Sequence, residues 1–91
     1  MKQPAYSKKI NGKLFQWRRN SRKIEDENYT AYYDDINVGY LRRRIEESKS
    51  ITHRGNWEAI IPSINFKEVD AYRYDLMELA CSKFEEFENS I

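Results

Sequence analysis

The stretch Tyr6-Ser-Lys-Lys-Ile-Asn-Gly-Lys-Leu-Phe-Gln-Trp-Arg-Arg19 decides the fold of this chain. In it, Asn11-Gly12 stands between two runs in which apolar and polar residues alternate. Both residues tolerate positive φ, as a two-residue type I′ turn requires, so the pair predicts a β-hairpin. We therefore expect a strand over 13–19 and an edge strand over 6–10 that pairs with it.

Further strands are predicted downstream of this hairpin. Aromatic residues make 29–33 a strand, the turn Asp34-Asp35-Ile36-Asn37 follows, and 38–45 returns antiparallel to it. After a long polar loop over 46–56, a last strand over 57–61 ends at Pro62. Strict alternation then predicts the core face of the sheet, made of Phe15, Trp17, Tyr29, Ala31, Tyr33, Val38, Tyr40, Trp57, Ala59 and Ile61.

A long C-terminal helix is predicted over 65–90. Asn65 is a good N-cap, Glu68 completes a capping-box pattern, and Ile64 with Val69 forms a hydrophobic staple. Beyond them, apolar residues recur at steps of three and four down one helix face. The predicted fold is therefore α+β, a three- or four-stranded antiparallel sheet packed against one long C-terminal helix in the order β-β-β-α.

Such a helix would be longer than its sheet. About 25 helical residues span about 37 Å, whereas a strand of six or seven residues spans about 22 Å. The last turns, with Phe84, Phe87 and Ile91, then need a cover. Three alternatives are open: the N-terminal segment with Tyr6 and Ile10 folds over them, a second copy or another protein covers them, or they fray.

Length and composition predict one small domain over 1–91 with a loose tail over 1–5. Apolar residues make up 40% of the 91 residues, which is enough for a core. The single cysteine, Cys81, excludes an intramolecular disulfide and a cysteine-rich zinc site. We find neither a signal-peptide pattern nor a run as apolar as a membrane span, so we expect a cytoplasmic protein without membrane contact.

Catalysis finds little support in the sequence. His53, the only histidine, lies in a polar loop, and Cys81 lies among apolar residues of the predicted helix. A structural, partly buried cysteine explains Cys81 better than a nucleophile does. No phosphate-binding loop or nucleophile elbow is present. We therefore expect a binding protein that is not an enzyme and that uses neither a metal nor another cofactor.

Basic residues next to aromatic ones predict contact with nucleic acid. The net charge is only +1, but residues 1–23 hold eight Lys or Arg and no acid. Cations beside flat rings suit phosphate contacts and base stacking. The residues expected to bind nucleic acid are Arg18, Arg19, Arg42, Arg43 and Arg44. Alternatively, these arginines cover the end of the core with their stems or pair with acidic segments.

The outward face of the predicted sheet favours a protein partner instead. Alternation places Tyr32, Leu41 and Ile60 there, and large apolar groups among arginines are typical of protein interfaces. With Phe84 and Phe87 of the helix, these residues define an alternative function. In it, the chain is an inhibitor or adaptor, for example phage- or plasmid-encoded, that blocks a larger nucleic-acid-handling complex by protein contact. A homodimer through the C-terminal helix is a third arrangement.

The layout of strands followed by a helix resembles small sheet-type DNA-binding domains of the AP2-like group. The likeness covers residues 13–80 in layout and rests mostly on core positions, namely Trp57, Ala59, Phe66, Ala71 and Tyr72. Because core positions carry no chemistry of recognition, the resemblance transfers no site residues to this chain.

Overall fold

A computed structural model of the chain describes residues 4–20, 28–44 and 56–90. The predicted polar loop over 46–56 lies outside the described residues except for Asn56, as do His53, Ile91 and the first three residues of the predicted tail. Of that tail, Ala5 packs against the core, and its N–H donates to the carbonyl oxygen of Trp17 at 2.9 Å.

The described residues form one antiparallel sheet followed by one helix, which confirms the predicted α+β class. The predicted strand number was too low, because the sheet has six strands whose spatial order is their order in the chain. The elements are β1 Tyr6–Ile10, β2 Lys13–Arg19, β3 Asn28–Tyr33, β4 Ile36–Arg44, β5 Asn56–Ile61, a 3₁₀ turn Pro62–Ile64, β6 Phe66–Asp70 and α1 Arg73–Asn89.

The predicted first hairpin is confirmed. Asn11 and Gly12 have φ of 52° and 81°, and Ile10 pairs with Lys13 across the turn. A second tight turn joins β3 to β4, and there Asp34 and Asp35 both have positive φ. Asp tolerates this conformation at moderate cost, so the turn needs only these two residues and β4 begins at Ile36, two residues earlier than predicted.

The predicted helix start at Asn65 is wrong. Asn65 has φ 54° and ψ 32°, and its N–H donates to the carbonyl oxygen of Pro62. It closes a tight connection from β5 to β6, where an asparagine in the left-handed region reverses the chain. Residues 66–70 are therefore the sixth strand, and the helix begins at Arg73 without a side-chain cap.

The shorter helix removes the predicted overhang. Seventeen residues span about 25 Å, which is close to the length of the strands beneath them. Phe84 is buried against Phe15 and Tyr33, with ring centroids 5.2 and 4.8 Å away. Strand β1 also contacts the helix. Residues from the N-terminal part of the chain therefore cover Phe84, whereas the side chain of Phe87 is 41% exposed.

A β-bulge in β4 changes which residues face the core. Ala31 pairs with Gly39 and Tyr32 pairs with Asn37, so Val38 is an extra residue without a partner in β3. An extra residue reverses the alternation beyond it. The predicted inward Tyr40 is consequently exposed, and the predicted outward Leu41 is fully buried.

The sheet curves around the helix. Helix α1 contacts β1 at one edge of the sheet and β5 and β6 at the other, so both edges reach the same helix. The concave face holds the core and the convex face, here called the outer face, points away from the helix. Buried residues of the core are Ile10, Phe15, Trp17, Tyr29, Ala31, Leu41, Trp57, Ala59, Ile61, Phe66, Leu76, Met77, Ala80, Cys81 and Phe84.

Candidate functional site

A row of side chains crosses the outer face from β2 to β6. The strand registers place these residues directly opposite one another, in the order Arg18, Thr30, Tyr40, Ile60 and Lys67. Since neighbouring strands lie about 4.8 Å apart, the row is about 19 Å long. Opposed residues of an antiparallel sheet share one face, so the row is one continuous surface.

Two arginines of this face lie against tyrosine rings. The Cζ atom of Arg18 is 4.3 Å from the ring centroid of Tyr32, and that of Arg42 is 5.5 Å from the ring of Tyr40. A cation–π contact of this kind contributes about 0.5–1 kcal/mol at an exposed site. The contacts hold the guanidinium groups close to the sheet. We call Arg18, Tyr32, Tyr40, Arg42, Ile60 and Lys67 the stacking face.

Arg18 is further fixed by polar neighbours. Its Nη2 donates to Oε1 of Gln16 at 2.6 Å and to Oδ1 of Asp35 at 2.7 Å. The Asp35 carboxylate is highly exposed, so water screens this ion pair. The main effect of these contacts is to orient the guanidinium group.

Glu58 places a carboxylate beneath the cations of the stacking face. Its side chain is only 7% exposed, and its Oε1 accepts from Nε and Nη2 of Arg42 at 3.1 and 3.0 Å. Its Oε2 lies 4.0 Å from Nζ of Lys67. A buried carboxylate needs such partners, because desolvation penalises its charge. Its negative charge is therefore compensated below the surface, while Arg42 and Lys67 remain exposed above it.

A polar network borders the stacking face. Thr30 donates from Oγ1 to Oδ1 of Asn20 at 2.8 Å, and Nδ2 of Asn20 donates to Oδ1 of Asn28 at 2.6 Å. The network satisfies the buried hydroxyl of Thr30. It also links the end of β2 to the start of β3 next to Arg42, which pairs with Asn28.

The five predicted nucleic-acid residues lie toward the same end of the sheet but on both of its faces. Arg18 and Arg42 belong to the outer face. Arg43 lies on the opposite face, with its Cζ 5.0 Å from the ring centroid of Trp57. Arg19 ends β2 opposite Tyr29. Arg44 ends β4, and its side chain lies outside what the structure describes.

The predicted protein-interface residues divide in a similar way. Tyr32 and Ile60 lie half-buried on the outer face, as expected. Leu41 and Phe84 are buried in the core and offer no surface, so these two predictions are wrong. The bulge in β4 turns Leu41 inward, and Phe84 packs under Tyr33.

Sequence patterns do not identify two members of the stacking face and one arginine outside it. Strict alternation places Tyr40 in the core because it does not allow for the bulge, although Gly39 within a strand is a signal for one. The capping pattern at Asn65 and Glu68 places Lys67 in the helix, whereas the structure has a turn at Asn65 and Lys67 in strand β6. Arg73, whose Cζ lies 5.5 Å from the Trp57 ring centroid, was not singled out at all.

Of the two candidate catalytic residues, Cys81 and His53, only Cys81 lies within the described residues. Cys81 is buried, and that burial raises the pKa of its thiol, although a hydrogen bond from Tyr6 acts in the opposite direction. A raised pKa disfavours the nucleophilic thiolate. Over residues 4–20, 28–44 and 56–90, no group of three or more His, Cys, Asp or Glu could hold a metal ion.

The two sides of the molecule differ in charge. The helix carries five carboxylates and two cations. On the outer face of the described strands, by contrast, the one acidic side chain is Glu58, which is buried. Even with the exposed carboxylate of Asp35 beside Arg18, the side of the molecule away from the helix therefore carries more cations than carboxylates.

Comparison of the chain with protein-family models, with curated proteins and with solved structures finds no match. Among the described residues, no helix has both the length and the apolar character needed to cross a membrane.

Proposed function

We propose that this chain is a non-enzymatic binding module that holds a single-stranded nucleic acid on its stacking face. The observation that carries the proposal is the pair of arginine–tyrosine contacts, Arg18 with Tyr32 and Arg42 with Tyr40, on one basic surface. Aromatic rings and guanidinium planes stack with bases, and cations bind the phosphates between them.

A single strand suits this surface better than a duplex does. Bases of a single strand are free to stack on side chains, whereas those of a duplex already stack on each other. The stacking face presents its rings and guanidinium groups across a sheet and not along a helix that could enter a groove. Glu58 lies under Arg42 and Lys67 and leaves their exposed sides to the ligand.

Fluorescence anisotropy with a labelled oligothymidine tests the proposal. Affinity should fall steeply with salt, since phosphate contacts release counterions. Lys67→Gln should weaken binding and lower the salt slope by about 1. The matched control is Lys83→Gln, which removes the same charge from an exposed side chain on the helix. Equal losses for the two variants, or no binding at low salt, would contradict the proposal.

Stacking is tested separately from charge. Tyr40→Ala should cost about 1–3 kcal/mol of binding free energy if a base stacks there. Phe87→Ala is the control, because Phe87 is an aromatic residue of similar exposure on the helix. Binding that is insensitive to Tyr40→Ala would rule out the stacking role of this ring.

A second candidate function is protein binding by an inhibitor or adaptor through the same face. The apolar residues Tyr40, Ile60 and Val69 on neighbouring strands β4, β5 and β6 favour it. In that case Ile60→Glu should abolish capture of a host protein, and the salt dependence should be weak. A chain that captures no protein but binds oligothymidine excludes this candidate.

A further inference from the structure

A second cluster of arginine and tyrosine lies at the end of the sheet where helix α1 begins. The guanidinium groups of Arg43 and Arg73 both approach the ring of Trp57, at 5.0 and 5.5 Å from its centroid. Arg73 also lies 4.7 Å from the ring centroid of Tyr74. We call Arg43, Tyr72, Arg73 and Tyr74 the rim patch.

Structural needs explain only part of this cluster. The two arginines cover the face of Trp57, which is a buried core residue, so they have a role in the fold. Tyr72 and Tyr74, however, are 70% and 51% exposed. Tyr74 lies beside the Arg73 guanidinium group, and Tyr72 directly precedes Arg73 in the chain. Exposed aromatic rings near cations are what a stacking ligand requires.

The rim patch and the stacking face both include residues of β4. Arg42 and Arg43 are successive residues of β4, so their side chains project from opposite faces of the sheet. Arg42 lies over Tyr40 on the outer face, and Arg43 lies over Trp57 on the other. Arg42 and Arg43 thus bring the two surfaces to neighbouring positions of β4.

Resting on the function proposed above, we infer that the bound single strand passes over the end of β4 and continues onto the rim patch. There Tyr72 and Tyr74 stack with bases, and Arg43 and Arg73 contact phosphates. Both surfaces combine cations with rings. Although Asp70 accepts a hydrogen bond from the N–H of Tyr72 at 2.9 Å, the two arginines leave the rim patch with more cations than this one carboxylate, and a polyanion with unpaired bases complements both surfaces.

The inference predicts that affinity depends on the length of the ligand in a particular way. A row of about 19 Å on the outer face accommodates only a few nucleotides. A longer strand reaches both surfaces, and single folds of comparable size hold roughly 4–16 nucleotides. Substitutions that remove the aromatic rings of the rim patch should therefore weaken the binding of long ligands and leave the affinity for short ones unchanged.

The experiment compares oligothymidines of about 5 and about 15 nucleotides, lengths that bracket the range of single folds. The double variant Tyr72→Ala/Tyr74→Ala should weaken binding of the long ligand by at least about 30-fold, as expected for the loss of two stacked bases, and leave the affinity for the short ligand unchanged. Tyr72→Phe/Tyr74→Phe keeps both rings and should restore the affinity. Phe87→Ala, toward the other end of the helix, should change neither.

Each outcome decides between defined alternatives. Unchanged binding of the long ligand by the alanine variant overturns the extended path and leaves the stacking face as the whole site. An equal loss for short and long ligands also overturns it, since the substitutions then act through the fold. Failure of the unsubstituted chain to bind either length refutes the proposed function itself, and this inference with it.

Discussion

At the scale of single residues, Gly39 determines which side chains of β4 reach the core. It lies at the bulge opposite Ala31, on the concave face of the sheet. A Cβ at this position would collide with the backbone oxygen of Ile60 and would lie 2.9 Å from Cγ1 of Ile61. Only glycine lets β4 approach β5 this closely, and the close approach fixes Leu41 inside and Tyr40 outside.

Gly39→Ala should therefore destabilise the fold by about 1–3 kcal/mol, the usual cost of overpacking a core. Urea unfolding followed by tryptophan fluorescence measures it, since Trp17 and Trp57 are both buried. Ser7→Ala, at an exposed position of β1, is the control and should change stability by less than about 0.5 kcal/mol. If Gly39→Ala is equally harmless, β4 has no bulge and strict alternation holds.

At the scale of elements, the connection from β5 to β6 depends on Asn65. Its φ of 54° lies in the left-handed region, which asparagine and glycine visit readily and β-branched residues do not. A helix N-cap, in contrast, has extended backbone and accepts Thr almost as well as Asn. Substitutions of Asn65 should therefore change the stability differently if the residue lies in a turn than if it caps a helix.

Asn65→Thr should cost about 1–2 kcal/mol, because a β-branched residue is strained in this conformation. Asn65→Gly should stay within about 0.5 kcal/mol of the unsubstituted chain, since glycine adopts positive φ freely. Thermal unfolding monitored by circular dichroism compares the two variants. Equal stability of the Thr and Asn chains would mean that Asn65 caps a helix after all.

Local signals predicted most elements but not their relation to one another. The Asn11-Gly12 turn, the strands of the aromatic runs and the α+β class follow from two-residue turn chemistry and alternation. The sixth strand did not follow, because Asn65 and Glu68 fit a helix cap as well as a turn followed by a strand. Only the pairing of Phe66–Asp70 with β5 distinguishes the strand from a helix, and such pairing cannot be read from the local sequence.

The sequence predicts which kinds of residue form the candidate surface but not every residue that belongs to it. Arg18, Tyr32 and Ile60 lie on the outer face as alternation predicts, whereas Arg42 lies there at the place where alternation predicts Arg43. Tyr40 and Leu41 exchanged places, because one extra residue at Val38 reverses all later positions of β4. Cations and rings can be counted in a sequence, whereas the face on which each lies depends on register.

At the scale of the whole molecule, contacts between β1 and α1 close the curved sheet around the helix. Nζ of Lys8 lies 2.8 Å from Oε1 of Glu85, and the Tyr6 hydroxyl hydrogen-bonds the Cys81 thiol. The hydrogen bond to Glu85 raises the pKa of Lys8. Burial raises the pKa of Tyr6 and of Cys81.

Because these pKa values are raised in the folded chain, the contacts between β1 and α1 should stabilise the fold less at alkaline pH. A group whose pKa is higher in the folded than in the unfolded chain binds more protons when folded. Its stabilising effect is complete below the unfolded pKa, which for a thiol is the ordinary value of 9.0, and is lost as pH rises through the folded pKa. We therefore expect the free energy of unfolding to decline steadily above about pH 9.

Cys81→Ala tests which groups cause this decline. The variant leaves a small cavity and so starts from lower stability at neutral pH. Its stability should nevertheless fall less between neutral pH and pH 11 than that of the unsubstituted chain, since one titrating group is gone. Urea unfolding at closely spaced pH values gives both curves. Parallel curves would show that Cys81 does not contribute, and Tyr6→Phe, which leaves Cys81 in place, then tests whether its hydroxyl carries the effect alone.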